Sequence, residues 1–584
     1  MSAPDDGEHP YDCRMPVRFL QMQSREVRAL LIAALVLVPL GVAPNAAARW
    51  SAPARPAGCS AALSAAPAPS VVFPSAGPTA RSGPGALLWT SPRGCTPGAS
   101  GATAGEAFGA TLAPDDLPGG GRALAVDAGG LAEVATATGT ALGQVLALGS
   151  AQSTVVAGGG AGATPTMAGG GTPARQAAAG GSAGADTGVL VEGKTAGAFG
   201  AAQPLGGPAA PVAASSAYLG DVAIASPVRT RAGWAIAVRV QRHYSESPAR
   251  ARLVPVGASP VEAVATTMDY RAEVLLVWAS GGTVYARELS PAGALGPVRR
   301  LGSLAAGSPN LELRALVSDD GHAIVAWRSQ TVASSGAPVT TIQLSISGSE
   351  LAFGAPRVLE RFRDLGGFVP PAGSLRLLRL SSEAVMIAWT GVDAGRYVVR
   401  ASPVSLHRGA WAPVVISKSA PASDAVLADL AAGPDAEAFA VWRTAPSSTD
   451  GGRAGPNPRR WAIYAARGHY AGRGEVSFAA PELLAAPGPN APPAVAVDPQ
   501  SGQALAAWVA LAGRGGIGRI EYALQPAGSL TAPAPAAAAV THAARRATSD
   551  GGIALVVGLA VLALACALLL GVPHRPWPLR ARRG

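Results

Sequence analysis

A β-propeller of four-stranded antiparallel blades is the fold class this sequence predicts, and three recurring features predict it. The first is an apolar run that ends in tryptophan: EVLLVW at Trp278, AIVAW at Trp327, AVMIAW at Trp389, AFAVW at Trp442 and ALAAW at Trp508, spaced 49, 62, 53 and 66 residues apart. The second is a turn six residues before the tryptophan, carrying Ala272, Gly321, Ala436 or Gly502, with Asp320, Asp435 or Asp498 at or shortly before it. The third is a pair of runs after each tryptophan: TVYAREL (283–289), RYVVRAS (396–402), AIYAARG (462–468) and RIEYALQ (519–525), then ALGPVRRL (294–301), AFGAPRVL (352–359), AWAPVVI (410–416) and SFAAPELL (477–484).

Strand, polar turn, strand is a hairpin, and two more strands complete a blade. The tryptophan strand is apolar on both faces, as a strand sandwiched between neighbouring sheets must be. Proline in the fourth run suits an outer edge, where a missing N–H costs no ladder bond. In that run Leu301, Leu359 and Leu484 each follow an apolar residue by six positions, and Leu205 in AFGAAQPL (198–205) does the same. Weaker copies extend upstream: ALAVDAGGLAEVATATG (123–139) with a turn at Asp127 and Gly130, and RAGWAIAVRV (231–240). GALLWTS (85–91) is either an eighth copy or a strand that closes the ring. The propeller is therefore expected over 70–526 with seven blades, six or eight remaining open. Tyr285, Tyr464 and Tyr522 are read as one repeated packing position.

The segments around the repeat have other compositions. Arg25 and Arg28 precede the apolar run 29–38, and Ala46-Ala47-Ala48 follows, so 1–48 is expected to be a signal peptide cut after Ala48. Residues 49–69 read as an Ala/Pro-rich linker, 157–185 as a Gly/Ala insertion without periodicity, and 527–552 as a Pro/Ala stalk. The run 553–572 is uncharged and long enough for a helix to cross a bilayer. Arg575, Arg580, Arg582 and Arg583 in the tail 573–584 place the C-terminus inside and the N-terminus outside. A single-pass protein with its propeller on the extracellular side of the cell membrane is the expectation. Cys59 and Cys95 are the exported thiols, expected to pair as a disulfide in an oxidising compartment.

Charge excludes one class of partner. Lys194 and Lys418 are the only lysines among 46 basic residues, and no Lys/Arg run occurs, so a nucleic-acid footprint is absent. Gly180-Gly181-Ser182-Ala183-Gly184 matches a nucleophile-elbow pattern but lies in low-complexity sequence. The glycines of 513–518 match a dinucleotide-binding pattern, yet a strand follows them rather than a helix. His243, His322, His407 and His469 show neither H-x-x-x-H spacing nor a cysteine partner, so neither a metal site nor a cofactor is expected.

The pattern D-x-x-G-x-A-x-x-A-W resembles the repeats of exported bacterial β-propeller proteins and, more distantly, the sialidase family. That resemblance covers about 120–526 and implies the fold. Sialidases carry S/T-x-D-x-G-x-T-W at a hairpin turn; here Ser318-Asp319-Asp320-Gly321 lacks the residue between acid and glycine, and Trp327 lies six past the glycine. An early arginine motif and a single Tyr–Glu pair are missing too. The expectation is a binding or scaffolding module without catalysis, the alternative being a sialidase-like glycan hydrolase or lyase. The loop between second and third strands is the longest and most individual after Trp442. It places Arg328, Arg443, Arg459, Arg460, Trp461 and Arg514 on one face, a rim suited to a cell-surface polysaccharide or an envelope protein.

Overall fold

The computed structural model of the chain describes residues 49–53, the strand residues between 60 and 208, and residues 211–526 apart from some loop positions. The expected signal peptide, the 553–572 span, Cys59, Cys95 and the 157–185 insertion lie outside them. Among the described residues no helix is long and apolar enough to cross a membrane.

All of the described regular structure is strand, arranged in eight antiparallel sheets, numbered here as blades along the chain. Blade 1 runs from Ser70–Val72 to Ala125–Asp127, blade 2 from Leu131–Gly139 to Gln203–Pro208, and blade 3 from Ala213–Ser216 to Arg252–Gly257. Blade 4 spans Val261–Met268 to Arg299–Ser303, blade 5 Glu312–Val317 to Arg357–Arg363, blade 6 Leu375–Arg379 to Val414–Val415, and blade 7 Ser423–Ala432 to Glu482–Gly488. Blade 8 combines Ala494–Val497, Ala504–Leu511 and Ile517–Gln525 with Ser60–Ala62 as its outer strand. First strands of successive blades touch in order, and that of blade 8 touches that of blade 1, which closes a ring. Eight blades replace the seven expected, with GALLWTS as the second strand of blade 1.

Each interface between blades 3 and 8 is one apolar cluster, and each cluster holds one of the five tryptophans. The strand period explains this: in blade 5 Ala323, Val325 and Trp327 face blade 4, while Ile324 and Ala326 face blade 6. The indole always turns to the preceding blade. All five are 2% exposed or less. The fit is close, since a Cβ on Gly302 of blade 4 would lie 2.8 Å from the Trp327 ring. Trp278 stacks on Tyr285 at 5.5 Å and Trp442 on Tyr464 at 6.2 Å, both directly across the ladder. Tyr522 differs from the reading of one shared position, because it faces Ala507 and Glu521 lies opposite Trp508.

The turn residues behave as their chemistry requires. Ala272, Gly321, Ala436 and Gly502 all have positive φ, between 59° and 82°. That conformation closes the hairpin tightly and excludes large side chains. In blades 4 and 5 the outermost, fourth strand is broken: Leu289 and Ser347 make single bridges to Leu295 and Phe353 before pairing resumes at Arg299 and Arg357. Pro297 and Pro356 fall in those breaks. Leu205, Leu301 and Leu484 are buried as the repeat implies.

Three assignments shift. Ala125–Asp127 ends blade 1 and Leu131–Gly139 opens blade 2, so 123–139 joins two blades instead of forming a hairpin. Gly233–Gln241 is the third strand of blade 3, the second being Val222–Thr230. The described residues of the expected linker contribute to the ring: besides Ser60–Ala62 as the outer strand of blade 8, the Ser51 N–H donates to Leu524 O at 2.7 Å and Trp50 meets Phe439 edge-on at 6.5 Å.

Two measurements test this packing. Trp327→Ala should cost about 3–5 kcal/mol in denaturant unfolding, and a negligible loss would place the ring outside the interface. Ala436→Gly should stabilise by about 0.5 kcal/mol, because relief of a left-handed alanine outweighs glycine's extra unfolded-state freedom. A loss in that variant would show the turn to be unstrained.

Candidate functional site

The arginine rim read from the second loops is largely interior. Arg328 is 2% exposed and lies where blades 5 and 6 meet. Its guanidinium pairs with Glu312 at 2.9 Å and donates to the carbonyls of Pro370 at 2.8 Å and Asn310 at 3.1 Å, and to Ser374 Oγ. Glu312 in turn accepts from the Leu375 N–H at 3.3 Å, so one ion pair ties two blades together. Arg443 and Trp461 are buried as well, the guanidinium 4.5 Å above the indole. Arg443 donates to Asn490 O at 3.4 Å, and burial pushes its pKa down to about 10. Arg460 is exposed, whereas Arg459 and Arg514 lie outside the described residues. Much of the long loop after Trp442 is ladder, because blade 7's second strand reaches Ser448 and its third begins at Trp461. Among the named rim residues that are described, Arg460 alone meets solvent freely.

A chain of polar contacts also links the innermost strands. Arg314 of blade 5 donates to Leu375 O of blade 6 at 3.0 Å, and Arg376 of blade 6 pairs with Asp429 of blade 7 at 2.8 Å. Asp429 then accepts from the Val495 N–H of blade 8 at 3.0 Å. Burial and the nearby Arg376 charge lower the Arg314 pKa to about 10.

The accessible site lies on the opposite face, where the first and third turns of each blade gather. A cleft of about 600 Å³ opens between blades 5 and 6. It is lined by His322 from the first turn of blade 5, Ser347 and Arg357 around its third turn, and Leu406 and His407 from blade 6. Gly409, at φ 92°, lets Arg357 cross to blade 6, since a Cβ there would lie 2.6 Å from Nη1.

The local fold at its mouth brings three donors together. In the turn 318–322 the Ser318 N–H donates to His322 O at 2.7 Å and the Gly321 N–H to Ser318 O at 3.1 Å. Gly321's positive φ thus sets Asp320 beside His322, with Asp320 Oδ2 3.1 Å from His322 Nδ1. The His407 ring stands edge-on to that of His322 with centroids 4.5 Å apart. Burial works against the Asp320 carboxylate, but the Ser318 hydroxyl and the His322 ring beside it outweigh that and hold its pKa below the usual range. Asp320, His322 and His407 form a group with metal-ligating donors within 4.8 Å of one another, against the expectation of isolated histidines. No sequence spacing could reveal this, because the two histidines belong to different blades. Turn acids elsewhere bond their own turns: Asp269 accepts from the Arg271 and Glu273 N–H groups, and Asp498 from Ser501 Oγ.

No family model and no curated protein matches the sequence. Among solved structures, a protein of unknown function from Dyadobacter fermentans is 12% identical, covers 67% of this chain and 93% of its own, and gives a TM-score of 0.31. The intramolecular trans-sialidase of Ruminococcus gnavus is 9% identical over 55% of this chain and 95% of its own, with a TM-score of 0.31. An α-L-arabinofuranosidase from Fusarium graminearum is 8% identical over 67% and 91%, with a TM-score of 0.29.

Structural use of Arg328 has a measurable consequence. Arg328→Met strands Glu312 between blades and should lower stability by about 3–5 kcal/mol in denaturant unfolding. A variant as stable as the parent would return Arg328 to the solvated rim.

Proposed function

We propose that this chain is an exported, membrane-anchored β-propeller that binds an anionic saccharide of the cell envelope in the cleft between blades 5 and 6. The observation that carries the reading is the cleft itself. Its volume lies in the range of ligand sites, and it combines an apolar floor with a few convergent polar groups. Arg357, His322 and His407 are donors suited to carboxylate or sulfate groups on a sugar. The apolar run 29–38 and the uncharged span 553–572 support display outside the membrane, with Cys59 and Cys95 paired in that compartment.

A second reading, a glycan hydrolase or lyase, is favoured by the innermost strands. Glu312, Arg314, Arg376 and Asp429 are unlike groups clustered across blades 5 to 7, and catalysis needs such convergence.

The two readings separate in one experiment on the full chain purified in detergent. Binding to immobilised acidic polysaccharides should fall at least tenfold in Arg357→Glu and stay unchanged when 449–459 is shortened. Undiminished capture by Arg357→Glu would move the site away from the cleft. Release of new reducing or unsaturated ends from those polysaccharides would establish the enzyme reading instead.

A further inference from the structure

We propose that Asp320, His322 and His407 bind a first-row divalent transition-metal ion, zinc being the natural occupant, at the mouth of the cleft between blades 5 and 6. Two imidazoles and one carboxylate are a donor set suited to such ions, with coordination positions left for an exogenous ligand. Their ligand atoms already lie within 4.8 Å of one another. Tetrahedral bonds of about 2.0 Å hold donors roughly 3.3 Å apart, so the largest adjustment is about 1.5 Å. Asp320 Oδ2 and His322 Nδ1, at 3.1 Å, need almost none. His407 is exposed and its ring is free to make the remaining movement.

A plain hydrogen bond between Asp320 and His322 accounts for the site less well. His322 Nδ1 is buried, and although the carboxylate is near, it makes no hydrogen bond of acceptable geometry. Burying a polar atom in that state is costly, and coordination would satisfy it. The carboxylate is also oriented from behind by Ser318 Oγ, whose one proton is within reach of Asp320 Oδ1 and, at 3.0 Å, of His322 O. Outer-shell support of this kind holds ligands in place before a metal arrives. Beyond the three donors lies the cleft, which gives an incoming anion access to the open position, with Arg357 on the same wall. That last step rests on the cleft being a ligand site; metal binding itself does not.

Cobalt(II) titration of the full chain in detergent tests the inference, because its visible bands report coordination directly. One saturable site per chain is expected, displaced by zinc. His407→Ala, a change at an exposed turn, should weaken cobalt binding at least tenfold, and His322→Ala should do so too where circular dichroism shows it folded. His243→Ala should bind as the parent does. Azide or inorganic phosphate should shift the bands of the parent complex. A parent without a saturable visible spectrum, or His407→Ala binding cobalt like the parent, would overturn the site. Bands insensitive to both anions would overturn its open position while leaving saccharide capture to stand on its own assay.

Discussion

From blade 3 to blade 8 the ring depends on second strands that are apolar on both of their faces. A blade shares its core with two neighbours and owns none by itself. Between blades 3 and 8 the contact is set by one indole turned against the preceding sheet, with small residues such as Ala326 and Ala388 giving the strand room on the other side. Because burial of that indole is shared, loss of one ring loosens two sheets at once. Alanine recurs in these second strands, since strands squeezed on both sides favour small side chains.

Some polar contacts reinforce the apolar ones where blades meet. Glu312 and Arg328 join blades 5 and 6, Arg376 and Asp429 join 6 and 7, and Arg443 reaches Asn490 between 7 and 8. Each is shielded enough that its geometry matters more than its charge. This division leaves the opposite face freer: there the turns are short, and a gap between two blades stays open. The cleft with His322 and His407 occupies that gap.

Legibility in the sequence followed how local the cause was. The tryptophans, their left-handed turns at Gly321 or Ala436 and the proline-broken edges are each enforced within one hairpin, so a repeat displays them. Blade number was harder, since the outer strand of blade 8 is only Ser60–Ala62 and carries no tryptophan. Arg328 and Arg443 read as part of a solvent-facing binding rim because each directly follows a tryptophan at the start of a loop. Their partners come from neighbouring strands and blades, and nothing in the local sequence marks Glu312 or Asn490 as such. The same distance hid the proximity of His322 and His407, whereas the turn that sets Asp320 beside His322 was visible from Gly321.

Completion of blade 8 by a strand from the other end of the chain has a consequence for assembly. The contacts from Trp50 to Glu482 and from Leu524 to Ser51 span 432 and 473 residues. The entropy of closing so long a loop grows only logarithmically with its length, but such distant pairing is slow to form. A chain emerging N-terminus first must therefore carry Ser60–Ala62 unpaired until Ile517–Gln525 has followed. Throughout that interval the last finished blade lacks the neighbour that covers its apolar face, and exposed apolar surface of that kind invites wrong association. A chain cut short before its last hairpin therefore has no partner for its first strand, and its ring stays open.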